Sequence, residues 1–307
     1  MERQLIVPAT AAGMRLDRFA QERLQQTRSQ IQHGIDDGLI TVNGRVVKNG
    51  YAVRPNDLVV IREPERVERS AAPEPSIVHE TPDYAVLEKP AGLLVYGVAR
   101  KNEQSVADWA LERWPECADV GEHGRSGIVH RLDRDVSGLL LFAKMQDAYA
   151  WFKQQFHDRQ ILKVYTTLVQ GNVRNDSGTI AFSLARSRTH HGRMAARPEK
   201  GMEGKRAETV YMVLARYTTS TLLSVRIYTG RTHQIRAHLF ALGHPIVGDM
   251  IYTGKNRSRN EQRSRLFLHA AKLGFSELNG EWKEFSSPLP KELQQYLAVL
   301  RTKATEH

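Results

Sequence analysis

Residues 127–144 read GIVHRLDRDVSGLLLFAK. The run GLLLFAK has strand length and almost no polar interruption, so it reads as a core strand. Directly before it stand His130, Arg131, Asp133, Arg134 and Asp135. A core strand that ends in this much charge brings ionisable groups to a rigid edge. In an extended segment Asp133 and Asp135 share a face. Together they could hold a Mg²⁺ ion for nuclease chemistry, although Arg131 and Arg134 flank them and no further acids cluster nearby. Alternatively, Asp133 alone serves as nucleophile or base; an arginine within ~4–6 Å would lower its pKa by about 1–3 units. A third reading is an aspartate that caps a turn and pairs with arginine. The residues themselves leave the three open.

Around this strand, YAVLEK (84–89), KVYTTLVQG (163–171), TVYMVLARY (209–217) and TLLSVRIYT (221–229) also read as strands. DAYAWFKQQF (147–156) and HQIRAHLFALG (233–243) carry helical spacing, the latter stopped by Gly243. Consecutive strands without an intervening helix point to a mixed, mainly antiparallel sheet. The expected class is α+β, with this larger domain spanning 77–300. Residues 63–76 hold Pro64, Pro73 and Pro75 among charges and read as an extended linker. Residues 14–62 form a separate small unit. Leu16, Phe19, Ala20 and Leu24 predict one helix, and Ile31 and Ile35 a second that stops at Gly38. Asn43-Gly44 within LITVNGRVVK predicts a hairpin, and DLVVI a closing strand that ends at Ile61. Arg15, Arg18, Arg23, Arg28, Arg45, Lys48 and Arg54 decorate this unit, where they are either a solvated exterior or a phosphate-contacting face.

The 307 residues carry a formal net charge of +10, which favours a polyanionic partner. Residues 184–208 hold seven Lys or Arg against three Glu, a second candidate clamp on phosphates. The single cysteine, Cys117, excludes an internal disulfide and a Cys-based zinc site and fits a reducing cytosol. The amino terminus lacks an apolar signal core, and nowhere do ~18 apolar residues run together, so neither export nor a membrane span is expected. Gly204-Lys205 is followed by Arg206, so there is no Walker loop, and the twelve histidines match no zinc spacing. TGRTHQIRAH (229–238) places Arg231, His233, Arg236 and His238 at a strand-to-helix junction. Five residues apart on a helix, Arg231 and Arg236 point apart. One of them could reach toward Asp133.

The first unit resembles the S4 RNA-binding domain through RLDRF, TRSQIQHGIDDGLITVNGRVV and NDLVVI. The second resembles the RluA/RluD-type pseudouridine synthases. The matches are KPAGLLV (89–95), GIVHRLDRDVSGLLLFAK, KVYTTLVQG, GKRAETVY (204–211), TGRTHQIRAHLFALGHPIVGD (229–249) and LFLHA (266–270), in the family's order. This resemblance implies isomerisation of uridine to pseudouridine in large-subunit (23S) ribosomal RNA, without cofactor or metal, in a cytoplasmic monomer. It implies that Asp133 is the essential carboxylate, Tyr165 the active-site tyrosine and Arg236 the carboxylate's partner. Arg131 would enter the base stack when the target nucleotide leaves it. His130 would orient the loop or serve a purely structural role, and Arg231 would support the loop or touch phosphate; Arg28 and Arg45 would grip RNA. The alternatives are a transfer-RNA substrate, or a non-catalytic RNA-binding or ribosome-assembly factor that kept the fold. Two departures stand out: Val136 where the family has Thr, and Tyr96-Gly97 where it commonly has His-Pro.

Overall fold

A computed structural model describes residues 2–24, 28–36, 38–48, 50–62, 73–97, 104–122, 124–187, 192–197, 204–253 and 265–305. The chain forms two compact units that divide near residue 71. The first contains β1 (Glu2–Ile6), α1 (Leu16–Gln21), α2 (Arg28–Asp36), β2 (Ile40–Val42) and β3 (Leu58–Arg62), with the sheet order β1-β3-β2. The predicted apolar stripes meet as expected: Leu16, Phe19, Ile31 and Ile35 are fully buried against Val59. Gly38, with φ +72°, turns the chain out of α2.

Two features of this unit depart from the expectation. The small sheet begins before residue 14, because β1 pairs along β3 from Glu2↔Arg62 to Ile6↔Leu58. The hairpin is only a turn. Asn43 and Gly44 take positive φ as anticipated, but the return goes no further than a bridge between Val42 and Arg45, and β2 pairs with β3 instead. The returning arm has little to bury, since Val46 is 64% exposed and Val47 alone of the pair packs on the core. Asn43 is also committed elsewhere: its carbonyl accepts from the Leu58 N–H at 2.8 Å, and its amide donates to Asp57 at 2.8 Å. Arg45 stands exposed at this turn. The side chain of Arg28 and most of the expected linker, residues 63–72, lie outside the described residues.

The second unit contains β4 (Ser76–Glu80), β5 (Tyr84–Lys89), α3 (Val106–Arg113), β6 (Ser137–Ala143), α4 (Gln146–His157), β7 (Leu162–Gln170), β8 (Ser177–Ile180), β9 (Ser183–Arg186), β10 (Met194–Arg197), β11 (Thr209–Arg216), β12 (Ser220–Ile227), α5 (Gln234–Ala241), β13 (Leu268–Ser276), β14 (Trp282–Ser286) and α6 (Lys291–Thr305). The main sheet runs β4-β5-β6-β13-β7-β12-β11-β8, with β14 joined to the far half of β13. Every pairing is antiparallel except the short parallel contact of β13 with β6. β9 and β10 form a separate two-stranded ribbon.

All seven residues of β6 are buried, which accounts for a run apolar on both faces. Its parallel contact needs Gly138: φ is +117°, and a Cβ there would lie 2.3 Å from the Ala270 carbonyl oxygen. The sheet aligns the start of β6, Tyr165 of β7, the end of β12 and the start of β13. Tyr165 lies opposite Val225 on one side and Ala270 on the other. No described helix is long and apolar enough to cross a membrane.

Candidate active site

The charged lip is a turn at the mouth of β6, closed by the Val136 N–H donating to the Asp133 carbonyl at 3.1 Å. It is tied to the loop after β5. The Gly92 N–H donates to the Arg134 carbonyl at 2.9 Å, and the Arg134 Nε donates back to the Gly92 carbonyl at 3.0 Å. Lys89, fully buried, donates from Nζ to the carbonyls of Pro90, Leu93 and Arg134 at 2.8, 2.7 and 2.9 Å. Burial pulls its pKa down to about 7, against the pull of Asp135 and Asp133. Three converging carbonyls thus use every donor of this ammonium and fix the two loops together.

Arg236 reaches the lip from α5. Its Nη1 donates to Asp133 Oδ2 at 3.2 Å, while Nε and Nη2 hold Asp249 bidentately at 2.7 and 2.9 Å. Asp249 also accepts from the backbone N–H groups of Ile251 and Tyr252, so its carboxylate organises the turn behind the guanidinium. Arg236 is thus oriented from behind, and its remaining donor edge faces Asp133. The entry to α5 is fixed by Gln234. Its Oε1 accepts from Thr229 Oγ1 and from the Arg231 N–H, and its amide donates to the Glu208 carbonyl and Thr209 Oγ1.

Asp133, Arg236, Tyr165, Arg131 and His233 border an open cleft with about 350 Å³ of free space. Tyr165 forms part of its wall. Burial and the neighbouring Asp133 raise its phenol pKa above the ordinary tyrosine range, so the ring stays neutral. Arg131 stands exposed at the rim and donates to the Tyr96 hydroxyl. The Arg131 and Arg125 guanidinium carbons lie 5.0 and 4.5 Å from the centre of that ring. Tyr96, one of the two departures, therefore holds the rim arginine by stacking and by a hydrogen bond.

The other predicted residues are placed differently. His130 does not border the cleft: its Nε2 accepts from the Leu141 N–H at 2.9 Å, and its ring lies 4.7 Å from Phe156. It braces β6 from behind. Arg231 is exposed and off the cleft wall, and its backbone contributes to the α5 entry. Asp249, His233, Tyr252 and Lys89 were given no role by sequence reasoning. Asp249 and His233 lie inside quoted motifs, and an acid in an otherwise apolar PIVGD stretch was the available signal.

Burial lowers the pKa of His130 to about 3 and that of His269 to about 4. An unfolded histidine titrates near 6.5. Between those values the unfolded chain binds more protons, so stability is full above pH ~6.5 and falls as pH drops toward 4. His130→Gln keeps an acceptor for Leu141. It is expected to flatten part of the decline in urea midpoint between pH 6.5 and 4.5.

The model of the RNA pseudouridylate synthase family matches residues 83–241, and that of the S4 domain matches 14–59. An RNA pseudouridine synthase of Chloroflexus aurantiacus is 38% identical over all of this chain and 96% of its own length. The ribosomal large subunit pseudouridine synthase D of Pseudomonas aeruginosa is 32% identical over 98% of this chain and 96% of its own. The structure of human RNA pseudouridylate synthase domain containing 1 superposes with a TM-score of 0.58 at 26% identity, covering 76% of this chain and 98% of that one. The chain belongs to the RNA pseudouridylate synthase family. It is an isomerase that acts on RNA, with an S4 domain ahead of its catalytic domain.

Proposed function

We propose that this enzyme isomerises uridines of large-subunit (23S) ribosomal RNA, with Asp133 as the reacting carboxylate. The observation that carries the reading is Asp133 at an open cleft, 3.2 Å from a guanidinium that Asp249 holds from behind. The reaction breaks the N1–C1′ bond, turns the retained uracil and joins C5 to C1′; the C5 proton leaves to solvent and N1 takes one up, so the product is an isomer. A carboxylate at C1′ or C2′ serves as nucleophile or as base. Tyr165 supplies a neutral aromatic wall for the detached ring; base–aromatic stacking is worth about 1–3 kcal/mol.

A uridine in a helix must leave its stack at a cost of a few kcal/mol. Arg131, held at the rim by Tyr96, is placed to fill the vacancy with its planar guanidinium. Arg28 and Arg45, the basic 184–208 stretch and the exposed Arg231 supply phosphate contacts. The S4 domain and the relative named for the ribosomal large subunit favour ribosomal over transfer RNA. The enzyme acts as a monomer on cytoplasmic RNA.

Pseudouridine mapping in total RNA from cells with and without the gene tests the substrate. One or a few large-subunit positions are expected to revert to uridine. Reversion only in transfer RNA would overturn the ribosomal assignment and leave the chemistry standing.

A further inference from the structure

The β9–β10 ribbon lies in the basic 184–208 stretch and pairs Met194 with Arg186. One of its backbone donors is not used within the ribbon: the Met194 N–H donates to the Tyr252 hydroxyl at 2.7 Å. With its oxygen accepting that hydrogen bond, the phenol can donate its own hydrogen bond to His233 Nδ1, 3.2 Å away. An Nδ1 that accepts leaves the hydrogen of the neutral imidazole on Nε2. Nε2 lies 3.9 Å from Asp133 Oδ2, the oxygen that Arg236 also holds. That distance is beyond a hydrogen bond, and an approach of about 1 Å would make one.

Two further observations single out this path. His233 is one of the few non-glycine residues with positive φ, at φ 53° and ψ 23°, and such strain persists where the surroundings enforce it. His233 is the N-cap of α5, where its carbonyl accepts from the Ala237 N–H, and the Gln234 Oε1 beside it accepts from the Arg231 N–H. Tyr252 is 1% exposed, and two cations lie near its ring: Arg193, just before β10, at 5.0 Å and Arg236 at 5.3 Å.

We propose that Tyr252 and His233 are positioning residues that couple the seating of the β9–β10 ribbon to the orientation of Asp133. The ribbon sets the phenol, the phenol sets the imidazole tautomer, and the imidazole gives Asp133 Oδ2 a second donor. RNA that presses on the ribbon would thereby tighten the site in which its uridine reacts. The proposal rests on Asp133 being the reacting carboxylate.

The test is a set of single-turnover rates on ribosomal RNA with full-length Tyr252→Phe, His233→Leu, His233→Gln and the double variant Tyr252→Phe/His233→Leu, each checked for folding by circular dichroism. Tyr252→Phe keeps the ring and both cation contacts. It is expected to slow the reaction about tenfold with RNA affinity within twofold of wild type. His233→Gln, which keeps a donor near the Nε2 position, should retain more activity than His233→Leu. The double variant should be no slower than His233→Leu alone. Wild-type rates in Tyr252→Phe, a loss confined to RNA affinity, or penalties that multiply in the double variant would overturn the coupling. Asp133→Asn in the same assay separates the two ideas, because activity there would overturn the underlying assignment instead.

Discussion

Asp133→Asn is expected to slow isomerisation by at least about 10³-fold while leaving RNA affinity within a few-fold. The amide matches the carboxylate in size and retains one acceptor oxygen for Arg236 Nη1, so the lip keeps its shape. Lys89 and Gly92 hold Arg134 through its backbone, which the substitution does not touch. What disappears is the negative oxygen that, in the proposed reaction, attacks or deprotonates the ribose. A non-catalytic RNA-binding protein on the same fold would show no turnover to lose. Pseudouridine quantified by nucleoside analysis, beside filter binding of the same RNA, reads the two quantities separately.

Asp249→Asn is expected to produce the largest loss of stability among single substitutions in this region. The Arg236 side chain is 5% exposed, and the Asp249 side chain is fully buried. Removing the Asp249 charge leaves the desolvated guanidinium with only its 3.2 Å contact to Asp133, and breaking one arm of such a buried pair costs about 3–5 kcal/mol. In a unit of this size that corresponds to a fall in melting temperature of about 10 °C. Asparagine can still accept from the Ile251 and Tyr252 N–H groups, so the loss reports the charge pair and not the turn. The folded fraction should also be slow, because Arg236 is no longer held from behind and is free to turn fully onto Asp133. A thermal melt with activity normalised to folded protein checks both. An unchanged melting temperature would show that Arg236 does not depend on Asp249.

Five strands of the sheet, β5, β6, β7, β11 and β12, were legible because they are apolar and free of helical spacing, whereas β4, β8, β13 and β14 were not read as strands. The charged residues before it could be read as a site, but the residues left three chemistries open, and the family resemblance chose among them. The pairing of Asp133 with Arg236, 103 residues later, lay beyond local reasoning. It is made by β12 delivering α5 to the mouth of β6, and a tertiary register is not written in any one segment. Lys89 was missed for a related reason. It stands at the junction of YAVLEK and KPAGLLV, and its burial depends on three carbonyls from two loops. The hairpin arm of the S4 domain failed in the opposite direction. Asn43-Gly44 predicts the turn correctly, but a turn signal does not supply the apolar area that keeps a second strand in place. β1 escaped notice because ERQLI lies ahead of the helices that define the motif, and only its register on β3 makes it part of the sheet.

In the proposed reaction, the Asp133–Arg236–Tyr165 cleft moves the glycosidic bond of uridine from N1 to C5. Joining C5 to the ribose expels the hydrogen at C5, so ribosomal RNA labelled with tritium at uridine C5 reports the event directly. Tritium should pass to water in a stoichiometric single turnover, with the RNA chain length unchanged and no release by Asp133→Asn. Bound RNA that releases no tritium, or equal release by Asp133→Asn, would contradict the proposed reaction.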